Sequence, residues 1–230
     1  MSLPQLRGIS SMATRQVLAE LAAAWQAHGS EPVAIESVGG VDAARRVQAG
    51  EAFDVVFLAS DAIDKLLATG CVLAGSKADL MLSSTAVAVR KGAAQPDISS
   101  EDALRAAVLA APSLGYSTGP SGVALQKLFE RWGIAGQIAP RIVQARPGVP
   151  VGSLIASGEV AMGFQQLSEL IHVEGIDIVG ALPQAVAIDT VFSAGVVAGS
   201  AHVDAAQRLL AFMASPEASE AKRRQGMQSI

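Results

Sequence analysis

Cysteine is almost absent from this sequence. Cys71 stands alone, so no intrachain disulfide and no multi-cysteine metal site can form, and the redox compartment stays open. Its expected role is that of a small buried hydrophobe. Aromatic residues make up only 4% of the chain, which leaves Ala, Val and Leu to fill most of the core. Charged residues are few, at 17%, and the formal net charge of −4 comes without a long basic run. This argues against nucleic acid and against a polybasic membrane surface, so any bound anion must be held by local donors. The apolar stretches are broken by Asp, Arg or Gly before about 18 residues, too short to span a bilayer as helices. Met1-Ser2-Leu3 lacks the charged segment, apolar segment and cleavage site of a secretory signal, and reads as a start placed before a mature sequence.

What is present is a globular composition. Half of the residues are apolar, unlike a disordered chain and compatible with strands buried on both faces. A chain of 230 residues has room for one large domain or two lobes of about 100–120 residues, each with its own core. Short apolar runs alternate with amphipathic stretches from end to end, the pattern of β-α units around mainly parallel sheets.

Val17, Leu18, Leu21, Ala24 and Trp25 recur at helical spacing, with His28-Gly29 as a stop. Pro32 to Ser37 reads as a strand, Ala43 to Ala49 as a helix ended by Gly50, and Asp54 to Ala59 as a buried strand. Ser60-Asp61 is placed to cap the helix that follows. Thr85 to Arg90 reads as a strand, and Ser99 with Asp102 as a capping-box start to a helix through about Ala110. A second lobe begins here. Ser113 to Tyr116 is a short strand, followed by a helix marked by Val123, Leu125, Leu128, Phe129 and Trp132, with Pro120 in its first turn and Gly133 at its end. Val151 to Ala156 reads as a helix, and Val160 to Phe164, Ile176 to Val179 and Val191 to Ala198 as strands. Two helices near 202–214 and 216–225 close the chain.

Three strand-to-helix junctions carry the polar, small-residue composition from which α/β proteins build ligand sites at the carboxyl ends of strands. At Gly8-Ile9-Ser10-Ser11-Met12, a serine hydroxyl and free backbone N–H groups can face an oxyanion, since a helix N-terminus carries partial positive charge; the plainer reading is a helix cap. At Ser37-Val38-Gly39-Gly40-Val41-Asp42, two glycines allow close approach to backbone donors, or form a simple turn. Gly115-Tyr116-Ser117-Thr118-Gly119-Pro120-Ser121-Gly122 is the richest, with several donors able to converge. It lacks the Gly-Lys-Ser/Thr ending of a nucleotide loop, and its glycine spacing does not match the dinucleotide fingerprint. Gln165 and Gln166, read as following the Val160–Phe164 strand, are further amide donors if they are not simply a solvated strand end. His28, His172 and His202 fall at helix ends or loops, so no metal site and no cofactor is expected. Arg45-Arg46 and Lys222-Arg223-Arg224 read as solvated helical faces, and Arg15 and Arg90 as candidate counter-charges.

The order of these junctions resembles the periplasmic molybdate-binding proteins of ABC transporters, of the type 2 solute-binding class. The segments carrying it are Gly8-Ile9-Ser10-Ser11, Ala44 to Gly50, Asp54 to Asp61, Gly158 to Phe164 and Ser215-Pro216-Glu217-Ala218. The resemblance implies an α/β fold of two lobes, each a mainly parallel sheet flanked by helices, joined by crossing strands near 84–90 and 191–198. Lobe 1 would comprise residues 4–83 and 192–230, lobe 2 residues 84–191, with the ligand cleft between them. It further implies an anion held by backbone N–H groups and hydroxyls, with the family's oxyanion-binding serine matching Ser10 or Ser11. The family's second serine falls in the Gly39-Gly40 region and its tyrosine hydroxyl near Gln165. Two donors are thus replaced, which suits a larger ligand such as an organic carboxylate. Bacterial aconitate isomerase resembles an offshoot of the same proteins, and the Ser10-Ser11-Met12-Ala13-Thr14 start is compatible with it.

The expected ligand contacts are therefore Ser10, Ser11, Met12, Gly39, Gly40, Ser60, Tyr116, Ser117, Thr118, Gly119, Ser121, Gly122, Gln165 and Gln166. The first functional reading is a monomeric periplasmic protein that closes on a small anion and delivers it to a membrane permease. The alternative is an isomerase that shifts a proton on an unsaturated tricarboxylate such as aconitate. For that chemistry Asp61 and Glu36 are the candidate bases and Ser10 and Thr118 the candidate donors.

Overall fold

The structure, a computed structural model, describes residues 5–146 and 148–230. Met1-Ser2-Leu3, read above as a chain start, and residue 4, where the first lobe was set to begin, lie outside the described residues. In chain order the elements are β1 (Leu6–Ser11), α1 (Arg15–Ala27), β2 (Val33–Val38), α2 (Gly40–Gln48), β3 (Val55–Ala59), α3 (Ser60–Ala68), β4 (Ala78–Arg90), α4 (Glu101–Ala110) and β5 (Leu114–Tyr116). They continue with α5 (Pro120–Arg131), α6 (Ala135–Ile138), β6 (Ile142–Gln144), α7 (Val151–Ser157), β7 (Met162–Gln166), α8 (Leu167–Leu170) and β8 (Ile176–Ala181). The last are β9 (Asp189–Val196), α9 (Val203–Ala214), α10 (Ser219–Arg224) and β10 (Gln228–Ser229). The chain forms two compact units, Met1–Leu82 with Val191–Ile230, and Ser83–Thr190, and it passes from one to the other within β4 and again within β9.

In the first unit β1 pairs in parallel with β2 on one side and β3 on the other, and β3 pairs antiparallel with β9. Strand alternation sends Val55 and Phe57 to one face and Val56 and Leu58 to the other. The first face is covered by Val17, Leu18, Leu21 and Trp25 of α1 together with Leu209, Leu210 and Met213 of α9. The second is covered by Ala43 and Val47 of α2 and Ile63 and Leu66 of α3. Each of the larger side chains buried in this way contributes about 1.5–3 kcal/mol of transfer free energy. That is why the aromatic-poor core needs both sheet faces filled.

In the second unit β5 lies between β6 and β7, parallel to both, and β7 pairs antiparallel with β4, which also pairs with β8. Leu104 and Val108 of α4 and Leu125, Leu128 and Phe129 of α5 pack with Phe164 and Val87 on one face. Val151 and Ile155 of α7 pack with Ala86 and Ala88 on the other.

Several local expectations are corrected. The cap of α4 is Ser100, whose hydroxyl accepts from the Ala103 N–H at 3.1 Å, one residue later than the Ser99 box predicts. Ala59 occupies the N-cap position of α3 and Ser60 is its first residue, so Ser60 does not cap it. Val123 is 47% exposed, because the face of α5 turned inward begins with Ser121 and Gly122. Cys71 is only partly buried beside Ile63 and Leu66, with the Thr69 hydroxyl 3.4 Å from its sulfur. Lys222 is fully buried rather than solvated, because its ammonium donates to the Leu80 carbonyl at 2.7 Å, and that burial lowers its pKa. Arg46 is also engaged: its guanidinium binds Glu36 and Glu51 and lies 5.3 Å from the Phe53 ring centre.

The tightest backbone approach in the second unit is at Gly122. A Cβ there would fall 1.8 Å from the Ser117 carbonyl oxygen and 3.2 Å from the Tyr116 ring, whereas one at Gly39 would meet nothing within 4 Å. Gly122→Ala should therefore push the 117–119 loop off the first turn of α5 and cost about 1–3 kcal/mol or more. Gly39→Ala, at φ −60 and ψ 137, should be nearly neutral. Paired denaturant unfolding curves check both.

Candidate functional site

Parallel pairing places the carboxyl ends of β1, β2 and β3 at one edge of the first unit, and those of β5, β6 and β7 at one edge of the second. Donors gather at both edges. In the first unit Ser10 and Ser37 are register partners and their hydroxyls are 2.8 Å apart. Neither Ser10 nor Ser11 caps α1, because a 3-10 turn over Met12–Thr14 intervenes, and the Thr14 hydroxyl turns back to the Ser11 carbonyl at 3.1 Å. The Ser11 hydroxyl is consequently buried without a hydrogen-bond partner. Leaving such a group unmet costs about 1–3 kcal/mol.

Gly40 lies beside that hydroxyl: a Cβ there would come 3.6 Å from the Ser11 Cβ. Gly39 is the N-cap of α2, and neither α2 nor α3 is capped by a side chain, so their first-turn N–H groups stay free to meet a ligand or water. Both helices follow strands that end at the same edge. Ser10, Ser11, Gly39, Gly40 and Ser60 are thus brought to one edge, and Met12, partly buried, opens the 3-10 turn beside them. Arg15 is exposed at the start of α1, where with Gln26, Ile35 and Ser37 it lines an open groove of about 650 Å³.

At the edge of the second unit, α5 has Gly119 at its N-cap, Pro120 as its first residue and no side-chain cap. The Ser117 hydroxyl accepts from the Gly119 N–H at 3.3 Å, and Thr118 is exposed. Ser121 and Gly122 are buried in the first turn. The Tyr116 side chain packs beneath the first turn of α5, with its ring 3.2 Å from where a Cβ at Gly122 would lie. Its ring is in the core, 6.3 Å from that of Phe129, and its hydroxyl accepts from Gln126 at 3.2 Å.

Gln165 and Gln166 belong to β7 itself and are buried, not a solvated strand end. The side-chain oxygen of Gln165 accepts from the Val151 N–H at 2.9 Å and the Gly152 N–H at 3.4 Å, the opening of α7. This fixes the orientation of the amide, and its nitrogen donates to Glu169 Oε1 at 2.9 Å. The Gln166 nitrogen donates to the Thr190 hydroxyl at 2.7 Å, while Gln166 Oε1 and the hydroxyl of Thr85, its register partner in β4, are buried without partners. A threonine hydroxyl donates as well as accepts, so turning the Gln166 amide over keeps that bond and frees its nitrogen as a donor.

Glu169 is not among the residues expected from the sequence. Burial raises its carboxyl to about 7, against the smaller opposing pull of the Gln165 hydrogen bond. No described residue donates to its Oε2. The expected bases are placed differently. Glu36 is held below the usual carboxylate range by its hydrogen bonds to Arg46, and Asp61 is exposed and pairs with Lys65 at 3.4 Å. Arg90 is exposed at the end of β4. Among the described residues, no three His, Cys, Asp or Glu side chains come together as a metal site, and no helix is long and apolar enough to cross a membrane.

Helices that start uncapped at the carboxyl ends of parallel strands are an arrangement able to hold a small anionic solute. Residues 6–228 match the family of bacterial extracellular solute-binding proteins, and the chain belongs to that family. Among its relatives is the aconitate isomerase of a Pseudomonas species, 41% identical over 186 residues, which cover 80% of this chain and 71% of that protein. Among solved structures, the periplasmic molybdate-binding protein of Azotobacter vinelandii superposes with a TM-score of 0.79 at 21% identity, covering 96% of this chain and 98% of the other. Peb3 from Campylobacter jejuni gives a TM-score of 0.73 at 15% identity, covering 98% and 100%. The expected two-lobed solute-binding fold is the fold of this family.

The Glu169 carboxyl has a stability signature. Below about pH 4.5 it is protonated in both folded and unfolded chains; as the pH rises to about 7 the unfolded chain ionises first, and folding loses free energy. Glu169→Gln removes that loss. The variant should match the wild type at pH 4 and exceed it at pH 8 by up to about 3 kcal/mol, measured by denaturant unfolding at both values.

Proposed function

We propose that this protein isomerises an unsaturated polycarboxylate of the aconitate type, outside the cytoplasm, on a frame inherited from solute binding. The observation that carries this reading is the 41% identity to an aconitate isomerase across 80% of the chain, well above the 13–21% of the molybdate-binding and Peb3 structures. The chemistry at the strand ends is compatible with it. A tricarboxylate asks for several anion donors; the first unit offers the Ser10 and Ser11 hydroxyls and the uncapped first turns of α2 and α3, and the second unit offers the Thr118 hydroxyl and the uncapped first turn of α5. Isomerisation also needs a group that takes and returns a carbon-bound proton near neutral pH, which a carboxyl raised to about 7 does better than an ordinary one.

The second reading is a binding protein that hands a small anion to a membrane permease, and the solute-binding family favours it. The two part on turnover. Wild-type protein mixed with cis- or trans-aconitate in deuterated water should interconvert the isomers and place deuterium on the carbon skeleton, followed by proton NMR. Binding with the isomers left unchanged selects the binding protein; no binding of any di- or tricarboxylate or tetrahedral oxyanion in thermal-shift screening defeats both.

A partner variant tests the first-unit contact. Ser11→Ala removes a buried hydroxyl that has no hydrogen-bond partner among the described residues, so its unfolding midpoint should stay the same or rise. Loss of one hydrogen bond to a charged ligand should weaken aconitate binding by about 10-fold or more, read by titration calorimetry. Unchanged affinity would remove Ser11 from the site.

A further inference from the structure

Gln165 and Glu169 together form an arrangement more specific than a ligand contact. The two α7 N–H groups hold the Gln165 oxygen, so its nitrogen points at Glu169 Oε1 and leaves Oε2 without a donor. The carboxyl sits four residues after Gln165, on the first turn beyond the carboxyl end of β7, the edge at which β5 and β6 also end. No cation is paired with it among the described residues. A structural carboxylate in a half-buried place is normally paired. This one is oriented on one oxygen and left open on the other.

The geometry points to Glu169 as the residue that carries the proton in the isomerisation, with Gln165 as its positioning residue. The inference rests on the isomerase reading. Glu169 Oε2 takes a proton from the methylene carbon next to a substrate carboxylate as that C–H bond breaks. The electron pair spreads over the three-carbon allylic unit and its carboxylates, the double bond re-forms one position along, and Glu169 returns the proton to the carbon at the far end. No electrons are gained or lost, and the only exchange with solvent is of the proton while it sits on Glu169. Neither β7, against which α8 packs, nor α7, whose first turn Gln165 holds, carries an ionisable side chain; β4, which meets α8 at Ser83 and Ser168, carries Asp79 and Arg90 near its two ends, and His172 is the next titratable group along the chain. The rate should therefore rise with pH through about 7 as a single ionisation.

The experiment uses the full chain with cis- and trans-aconitate, comparing wild type, Glu169→Gln and Glu169→Asp. Glu169→Gln keeps the shape and the acceptor for Gln165 but cannot take a proton. It should lose interconversion and deuterium uptake by about 100-fold or more while binding aconitate within about 3-fold of wild type. Glu169→Asp should retain part of the turnover with a displaced pH midpoint, and it carries the test if the Gln variant fails to fold. Glu169→Gln active within about 5-fold of wild type, or a Glu169→Asp pH profile superposing on the wild type's, overturns this inference alone. Wild type that binds aconitate without interconverting it overturns the isomerase reading and this inference with it.

Discussion

Parallel strand pairing is the constraint on which the rest of the site depends. Because β1 runs with β2 and β3, and β5 with β6 and β7, every helix that follows one of these strands begins at the same edge of its unit. Helix N-termini are therefore collected by topology rather than by local sequence. What the sequence adds is restraint: α2, α3 and α5 start without capping side chains, whereas α4, which does not follow one of these strand ends, has Ser100. Donors that a stable fold would normally satisfy internally are left for something else to meet.

The two edges are built differently. In the first unit the unmet groups are small, the Ser11 hydroxyl and the backbone beside two glycines, and they suit close contact with an anion. In the second unit long amides do the work, and one of them is spent on holding a carboxyl. Burial raises the pKa of Glu169, which has one neutral hydrogen-bond donor and no cation to oppose the shift, whereas Glu36, on an exposed strand position, has Arg46. Like side chains thus end up in opposite protonation regimes through their surroundings alone.

Much of this was legible in the sequence, because helix periodicity, glycine stops and apolar runs are local. Leu18, Leu21 and Trp25 announced α1, and Gly133, at φ 70, ended α5 where expected. What was not legible depended on partners far along the chain. The strand ending in Gln165-Gln166 looked finished at Phe164 because glutamines read as solvent-facing; their partners Val151, Glu169 and Thr190 are set by the fold. Lys222 looked solvated beside two arginines because its acceptor, Leu80, lies in another part of the chain. Tyr116 looked like a site hydroxyl, and only the packing of Phe129 shows that its ring is core. The bases proposed from sequence were acids near junctions, while Glu169 required knowing which acid the fold buries without a cation.

The passage of the chain through β4 and back through β9 has a consequence for biogenesis. Ser83–Thr190 is a continuous segment that can reach its own sheet as soon as it is made, while the first unit cannot be finished until β9, α9 and α10 arrive. Until then β3 has an open edge where β9 will pair, and the face meant for α9 is uncovered. Through synthesis of the middle segment the amino-terminal sheet is therefore without its closing strand and one of its covering helices.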